Sequence, residues 1–245
     1  MLGQTLIFVD GENLALRYKE MLASGRVPRP DNVWVADSFV WNQRVLNFHL
    51  WNVKRLSYYT SVVGDDLQVQ SVRERIAGTQ FTCTTDRALD RKSFRTGQIV
   101  PFVRKKSSKS RKESICDIAI AVDVMRACHR DHADTIWIFS GDGDFAPLVN
   151  EVLHSGKCAY LSAFSSGLNG ELPYMVDEFL TLDEHFFLSV QEVQEATANV
   201  AAAEAAVRIG VVSVETDTVT SGNSSPSQGG DGASSRGAND GMPSP

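Results

Sequence analysis

Thr135-Ile136-Trp137-Ile138-Phe139-Ser140-Gly141-Asp142-Gly143-Asp144-Phe145 is the stretch whose reading decides the fold. Its first five residues form an unbroken β-branched and aromatic run, the pattern of a strand buried on both faces. Ser140 to Asp144 then turn the chain, and Phe145 to His154 has helical composition up to the stop at Gly156. A strand that ends in acid and feeds a helix is one half of a βαβ unit. The amino terminus has the same form: Thr5 to Val9 is an apolar run that meets Asp10-Gly11, and Asn13 to Ala23 follows as a helix.

Outward from these two anchors, Arg55 to Val63 and Thr79 to Thr84 are predicted strands, with a helix over Asp66 to Ala77 between them. Asp31 is placed to cap a helix presenting Val33, Val35, Phe39, Trp41, Val45 and Phe48. Ile115 to Cys128 has helical spacing, and Lys157 to Ala163 is a further strand. The alternation predicts an α/β fold: a three-layer, Rossmann-like, mostly parallel sheet flanked by helices, with right-handed crossovers.

The 245 residues, 42% of them hydrophobic, suffice for one well-buried domain, expected over 1–188. An alanine-rich helix is expected over 189–210 and a disordered tail over 211–245, where Gly, Ser and Pro dominate without apolar periodicity. The net charge of −6 argues against a nucleic-acid partner only until its distribution is seen, because from Ser189 onward seven acids face two arginines. The remaining body is near neutral. Cys83, Cys116, Cys128 and Cys158 form no CxxC pair, so buried free thiols are expected in place of a zinc site. No apolar run reaches about 18 residues, and the opening run is interrupted by Asp10 and Glu12, so a cytoplasmic protein without membrane attachment is expected.

In an open parallel sheet the functional crevice lies beyond the carboxyl ends of the strands. Asp10, Asp142 and Asp144 all stand at strand ends, and Asp117 opens the helix that leads into the second of these strands. Gathered carboxylates repel one another, and Mg²⁺ or Mn²⁺ relieves that repulsion through oxygen coordination. Taken singly, each aspartate is more simply a turn or cap residue. Their joint placement favours the metal site.

These residues resemble the NYN domain of the LabA-like type, within the PIN-like nuclease superfamily. The resemblance rests on Phe8-Val9-Asp10-Gly11-Glu12-Asn13-Leu14, Asp117-Ile118-Ala119-Ile120-Ala121-Val122-Asp123 and Ser140-Gly141-Asp142-Gly143-Asp144-Phe145, with Gly156-Lys157 and Leu172 to Leu182 as closing pieces. It spans roughly residues 4–185. Ile115-Cys116 stands where relatives commonly show Gly-Val. The resemblance implies a PIN-like fold and a metal-dependent endoribonuclease, with Asp10, Asp117, Asp142 and Asp144 as catalytic metal ligands. Asn13 corresponds to the polar residue that orients a ligand, water or phosphate beside Asp10. Ser140 and Asp123 are expected to support that shell from behind, Asp123 lying about 240° around the helix from Asp117. Hydrolysis by metal-activated water needs no side-chain nucleophile. His129, His132 and His154 accordingly stand outside these motifs, at helix ends.

From Arg87 to Lys112 ten cations face only Asp90, directly before Asp117. With Phe94 and Phe102 interleaved, a basic hairpin or loop inserted here is expected to hold single-stranded RNA through Arg95, Arg104, Lys105, Lys106, Lys109, Arg111 and Lys112. Most charge runs are merely solvated loops. Two other functions fit the acids: a non-catalytic RNA-binding module, and a haloacid-dehalogenase-like phosphatase. The phosphatase fits worse, because Glu12 occupies the place of its second aspartate. Both a monomer and a homodimer remain open.

Overall fold

The computed structural model describes residues 3–47, 52–84, 94–106 and 115–201. The chain divides into two units, Met1–Glu195 and Ala196–Pro245. In the second unit the described residues, 196–201, are helical, and the expected tail over 211–245 lies outside the described residues. No described helix is long and apolar enough to cross a membrane.

The first unit is built on β1 (Gln4–Asp10), whose last six residues are all buried. On one side β1 pairs in parallel with β4 (Asn52–Val63), and beyond β4 lies β6 (Phe94–Lys106), also parallel. On its other side β1 pairs with β7 (Thr135–Phe139), followed by β8 (Cys158–Ala163) and β9 (Glu178–Thr181). These six parallel strands carry one antiparallel edge strand, β5 (Gln80–Thr84), against β6. The first strand of the chain is thus a central one.

Helices cover both faces. Leu14, Tyr18 and Met21 of α1 (Gly11–Ala23) and Val69, Val72 and Ile76 of α2 (Asp66–Ala77) join Ile7 and Val9 in one core. Cys116, Ile120, Val124 and Ala127 of α3 (Ile115–His129) and Leu148, Val149 and Val152 of α4 (Ala146–His154) join Leu6 and Phe8 in the other. Alternate residues of β1 therefore anchor opposite layers, as the period of two requires. Helix α2 starts where Asp65 and Gln68 close a reciprocal capping box, so both ends predicted from the sequence are reproduced. After α5 (Leu172–Met175) and β9, α6 (Asp183–Phe186) returns to α1, where Phe187 stacks on Tyr18 with ring centroids 5.1 Å apart.

Three expectations are corrected. The helix after Asp31 is a hairpin of β2 (Val33–Val35) and β3 (Phe39–Trp41), followed by a 3-10 turn at Gln43–Leu46, while Phe48 lies outside the described residues. Asp37 sits in the three-residue loop at φ 58, the left-handed conformation an aspartate tolerates. The basic stretch is no inserted loop over Phe94–Lys106, for β6 runs inside the sheet with Ile99 and Val103 buried. Its cations cluster at the strand's exit, past the paired apolar positions. Among the thiols, Cys83, Cys116 and Cys128 are buried and free as expected, whereas Cys158 is free and exposed.

Candidate active site at the carboxyl edge

The adjacent parallel strands β1 and β7 bring Asp10 and Ser140 together across 130 residues. The Ser140 hydroxyl donates to Asp10 Oδ2 at 2.8 Å, and the Asn13 backbone N–H donates to Asp10 Oδ1 at 3.1 Å. Asp10 is therefore the N-cap of α1 as well as the end of β1. Gly11 permits the tight exit, since a Cβ there would lie 2.1 Å from the Tyr58 ring and 2.7 Å from the Tyr59 carbonyl oxygen. The Asn13 side-chain oxygen in turn accepts from the Gly141 N–H at 3.3 Å, tying the first motif to the last. Ser140 Oγ also accepts from the Asp142 N–H at 3.2 Å.

Asp10 is only 3% exposed. Burial lifts its carboxyl from the ordinary range to about 7; Asp117 and Glu12 push it the same way, against the hydrogen bonds from Asn13 and Ser140. The site thus holds a carboxyl group poised near neutrality, with two further carboxylates close enough to act on it. Cys116, one residue before Asp117, has its thiol pushed up by burial and then by Glu12, to which it is hydrogen-bonded. Glu12 also accepts from Lys106 Nζ at 3.2 Å, at the carboxyl end of β6. The sequence offered no sign of Glu12's part beyond its place in the Asp-Gly-Glu-Asn turn, because its partners come from two distant elements.

The other acids are placed differently. Asp142 is half-buried and caps the 3-10 turn Gly143–Phe145, accepting from the Asp144 N–H at 3.0 Å, while Asp144 is exposed on that turn. Asp123 accepts from the Tyr59 hydroxyl at 2.9 Å and pairs with Arg126, about 9 Å along α3 from Asp117. Among the described residues no three His, Cys, Asp or Glu side chains stand close enough together to hold a metal ion. The donor chemistry still suits a hard cation, since Asp10 is burdened by two neighbouring carboxylates and all the acids offer oxygen.

Of the expected RNA-binding cations, Lys106 reaches the edge through Glu12, and Arg104 lies over the Phe102 ring, 4.7 Å from its centroid. Lys105 points to the α2 side, paired with Asp66 at 2.8 Å. Arg95 sits near the other end of β6, roughly 35 Å along the strand from Lys106. Lys109, Arg111 and Lys112 lie outside the described residues.

The NYN domain family profile matches residues 4–183. This chain is an NYN domain protein. The match spans every motif at the edge, from Asp10 to the Ser140-Asp144 turn, and gives the NYN domain a PIN-like, nuclease-type fold. No curated protein matches the chain. Among solved structures, a Vibrio parahaemolyticus protein of unknown function is similar at 18% identity and a TM-score of 0.48, over 76% of this chain and 96% of that one.

Proposed function

We propose that this NYN domain protein is a metal-dependent endoribonuclease, with Asp10, Asp117, Asp142 and Asp144 as the residues that would hold Mg²⁺ or Mn²⁺. The observation that carries the reading is Asp10: a buried carboxyl raised to about 7, fixed by Ser140 and Asn13, with Asp117 and Glu12 acting on it. A structural cap has no need of burial among other acids, whereas a ligand site does. A divalent cation held there would supply charge against a scissile phosphate and acidify an attacking water.

The chain's own residues do the positioning. Ser140 and the Asn13 N–H each donate to one oxygen of Asp10 and so fix the carboxyl group's orientation. Asn13 holds the Gly141 backbone, so the last turn cannot drift from the first. Lys106 offsets Glu12 and brings positive charge to where a phosphate would approach.

The test is cleavage of generic single-stranded RNA by the full chain in Mg²⁺ or Mn²⁺, in EDTA, and with Asp10→Asn, a small phosphomonoester serving as control. Metal-dependent cutting that disappears in Asp10→Asn is expected. Cutting that persists in EDTA, or phosphomonoester turnover alone, overturns the proposal. A second reading, an RNA-binding module without turnover, is supported by the capping bond that occupies Asp142. Metal-independent RNA binding with no cleavage would select it.

A further inference from the structure

A groove of about 860 Å³ runs between α3 and the face of β1, β4 and β6, beside the acidic edge and separate from its ligand residues. Helix α3 packs on β1 and β4, and the groove lies where that helix and β6 face each other. Its position in the sheet is fixed by register. Tyr59 is paired with Asp10 on one side and with Phe102 on the other, so the groove's upper end is level with the candidate active site. Its lower end is marked by Arg55, paired with Leu6, four residues or roughly 13 Å back along β1.

The lining is cationic. Lys54 and Arg55 enter from β4, and Arg126 and Arg130 from α3 and its exit. A β-bulge contributes to this, since the register between β1 and β4 slips after Thr5, leaving Lys54 as an extra residue. The bulge lets two successive exposed cations, Lys54 and Arg55, line one groove. Asp123 is the one carboxylate in the lining, and it is committed to the Tyr59 hydroxyl and Arg126. Among the described residues no carboxylate pairs with Arg55 or Arg130. Four permanent cations against one occupied acid select an anionic occupant.

The aromatic part narrows the choice. Phe102 is half-buried in the wall, leans on Tyr59 at 5.0 Å between centroids and carries the Arg104 guanidinium over its face. Arg104 covers one face of the ring, so a base would meet the remaining exposed part of Phe102 and the guanidinium plane beside it, while the cations alongside would track the backbone. A recess between a helix and a sheet suits one strand, whereas a duplex keeps its bases turned inward.

We infer that this groove holds the flank of a single-stranded RNA whose next segment lies at Asp10, with Arg55 and Arg130 on its phosphates and Phe102 against a base. The inference rests on the ribonuclease reading and adds the path the strand takes. That path leaves the edge along β6 and α3.

The test measures fluorescence anisotropy of a labelled strand of about twelve unpaired nucleotides, with the full chain in EDTA so that it stays uncut. Arg55→Ala/Arg130→Ala leaves the Arg126–Asp123 pair in place and removes only exposed side chains. Affinity should fall roughly tenfold or more, and the slope of log affinity against log salt should flatten by about 0.7 for each phosphate that is no longer neutralised. Lys19→Ala/Arg75→Ala, on the α1 and α2 face, should change neither. Phe102→Leu should weaken binding while leaving the salt slope unchanged. Unaltered affinity and slope in the arginine variant, with the wild-type chain binding RNA, overturn the groove and leave the ribonuclease reading standing. Weaker binding with an unchanged slope in that variant also overturns it, as does a duplex that competes as well as the single strand. A wild-type chain that binds no RNA in EDTA overturns the groove, and the ribonuclease reading is then decided separately by the cleavage assay.

Discussion

Asp10 ends β1 and Asp142 stands three residues past β7, yet each caps the helix or turn that follows and accepts a backbone N–H from two or three residues ahead. The resemblance stops there. Asp10 is buried beneath Ser140 with Asp117 and Glu12 acting on it, while Asp142 is half-exposed and bonded within its own turn. Capping geometry alone therefore does not mark an aspartate as chemical; its surroundings do. The residue whose ionised form is hardest to keep is the one best placed to gain from a cation.

The largest expected effect comes from removing that charge. Asp10→Asn should lower RNA cleavage by at least roughly a hundredfold, beyond what loss of a supporting hydrogen bond costs. Asp142→Asn should also reduce it, and steady-state rates on one labelled RNA would rank the two. If Asp142→Asn proves the more damaging, the contrast drawn from burial is wrong.

Stability separates the same residues more cleanly. Asp10 has a folded-state value of about 7 against an ordinary 3.8, so the native state binds a proton that the unfolded chain has released. Its contribution is fully present below pH 4 and is lost as pH rises through 7. Asp10→Asn should match the wild type in metal-free buffer near pH 4. It should exceed it above pH 7 by several kcal/mol, on the order of 4 if the shift is borne by Asp10 alone. Urea melts at pH 4.5 and pH 8 in EDTA would measure this, and equal differences at the two values would refute the burial argument.

Smaller effects follow from the neighbours. Ser140→Ala leaves Asp10 Oδ2 without its donor and should cost about 1–3 kcal/mol at pH 8, less when Asp10 is protonated. Asp142→Ala should cost about 1 kcal/mol, the ordinary value of a lost cap. A cost for Asp142→Ala as large as that for Ser140→Ala would erase the difference between the two capping aspartates.

Much of this was legible in the sequence. The apolar runs before Asp10 and Ser140 are buried parallel strands, α2 has the predicted ends, and the NYN motifs meet at one edge. What escaped were features set by partners far along the chain. Strand β6 was hidden by its own cations, because charge at a strand's exit looks like a loop when its sheet neighbours are unknown. The β2–β3 hairpin was hidden by apolar spacing that a helix would also satisfy, and its Ala36-Asp37-Ser38 loop has no glycine to mark the turn. Glu12 and the groove had no local signal, since their significance comes from Lys106, Cys116 and α3.

The place of β1 also sets a schedule for the molecule's assembly. As the chain is made, its first strand has no partner until β4 emerges, and its other edge stays open until β7, more than a hundred residues later. Until then Leu6 to Val9 is an apolar template with unsatisfied backbone groups, open to strands of other chains. Contacts of such separation slow folding through the entropy of closing long loops. The Ser140 bond to Asp10 can form only near the end of that process. A ribosome-bound or truncated chain ending before Thr135 should therefore be aggregation-prone and unable to complete the edge, which waits on β7 and the turn through Asp144.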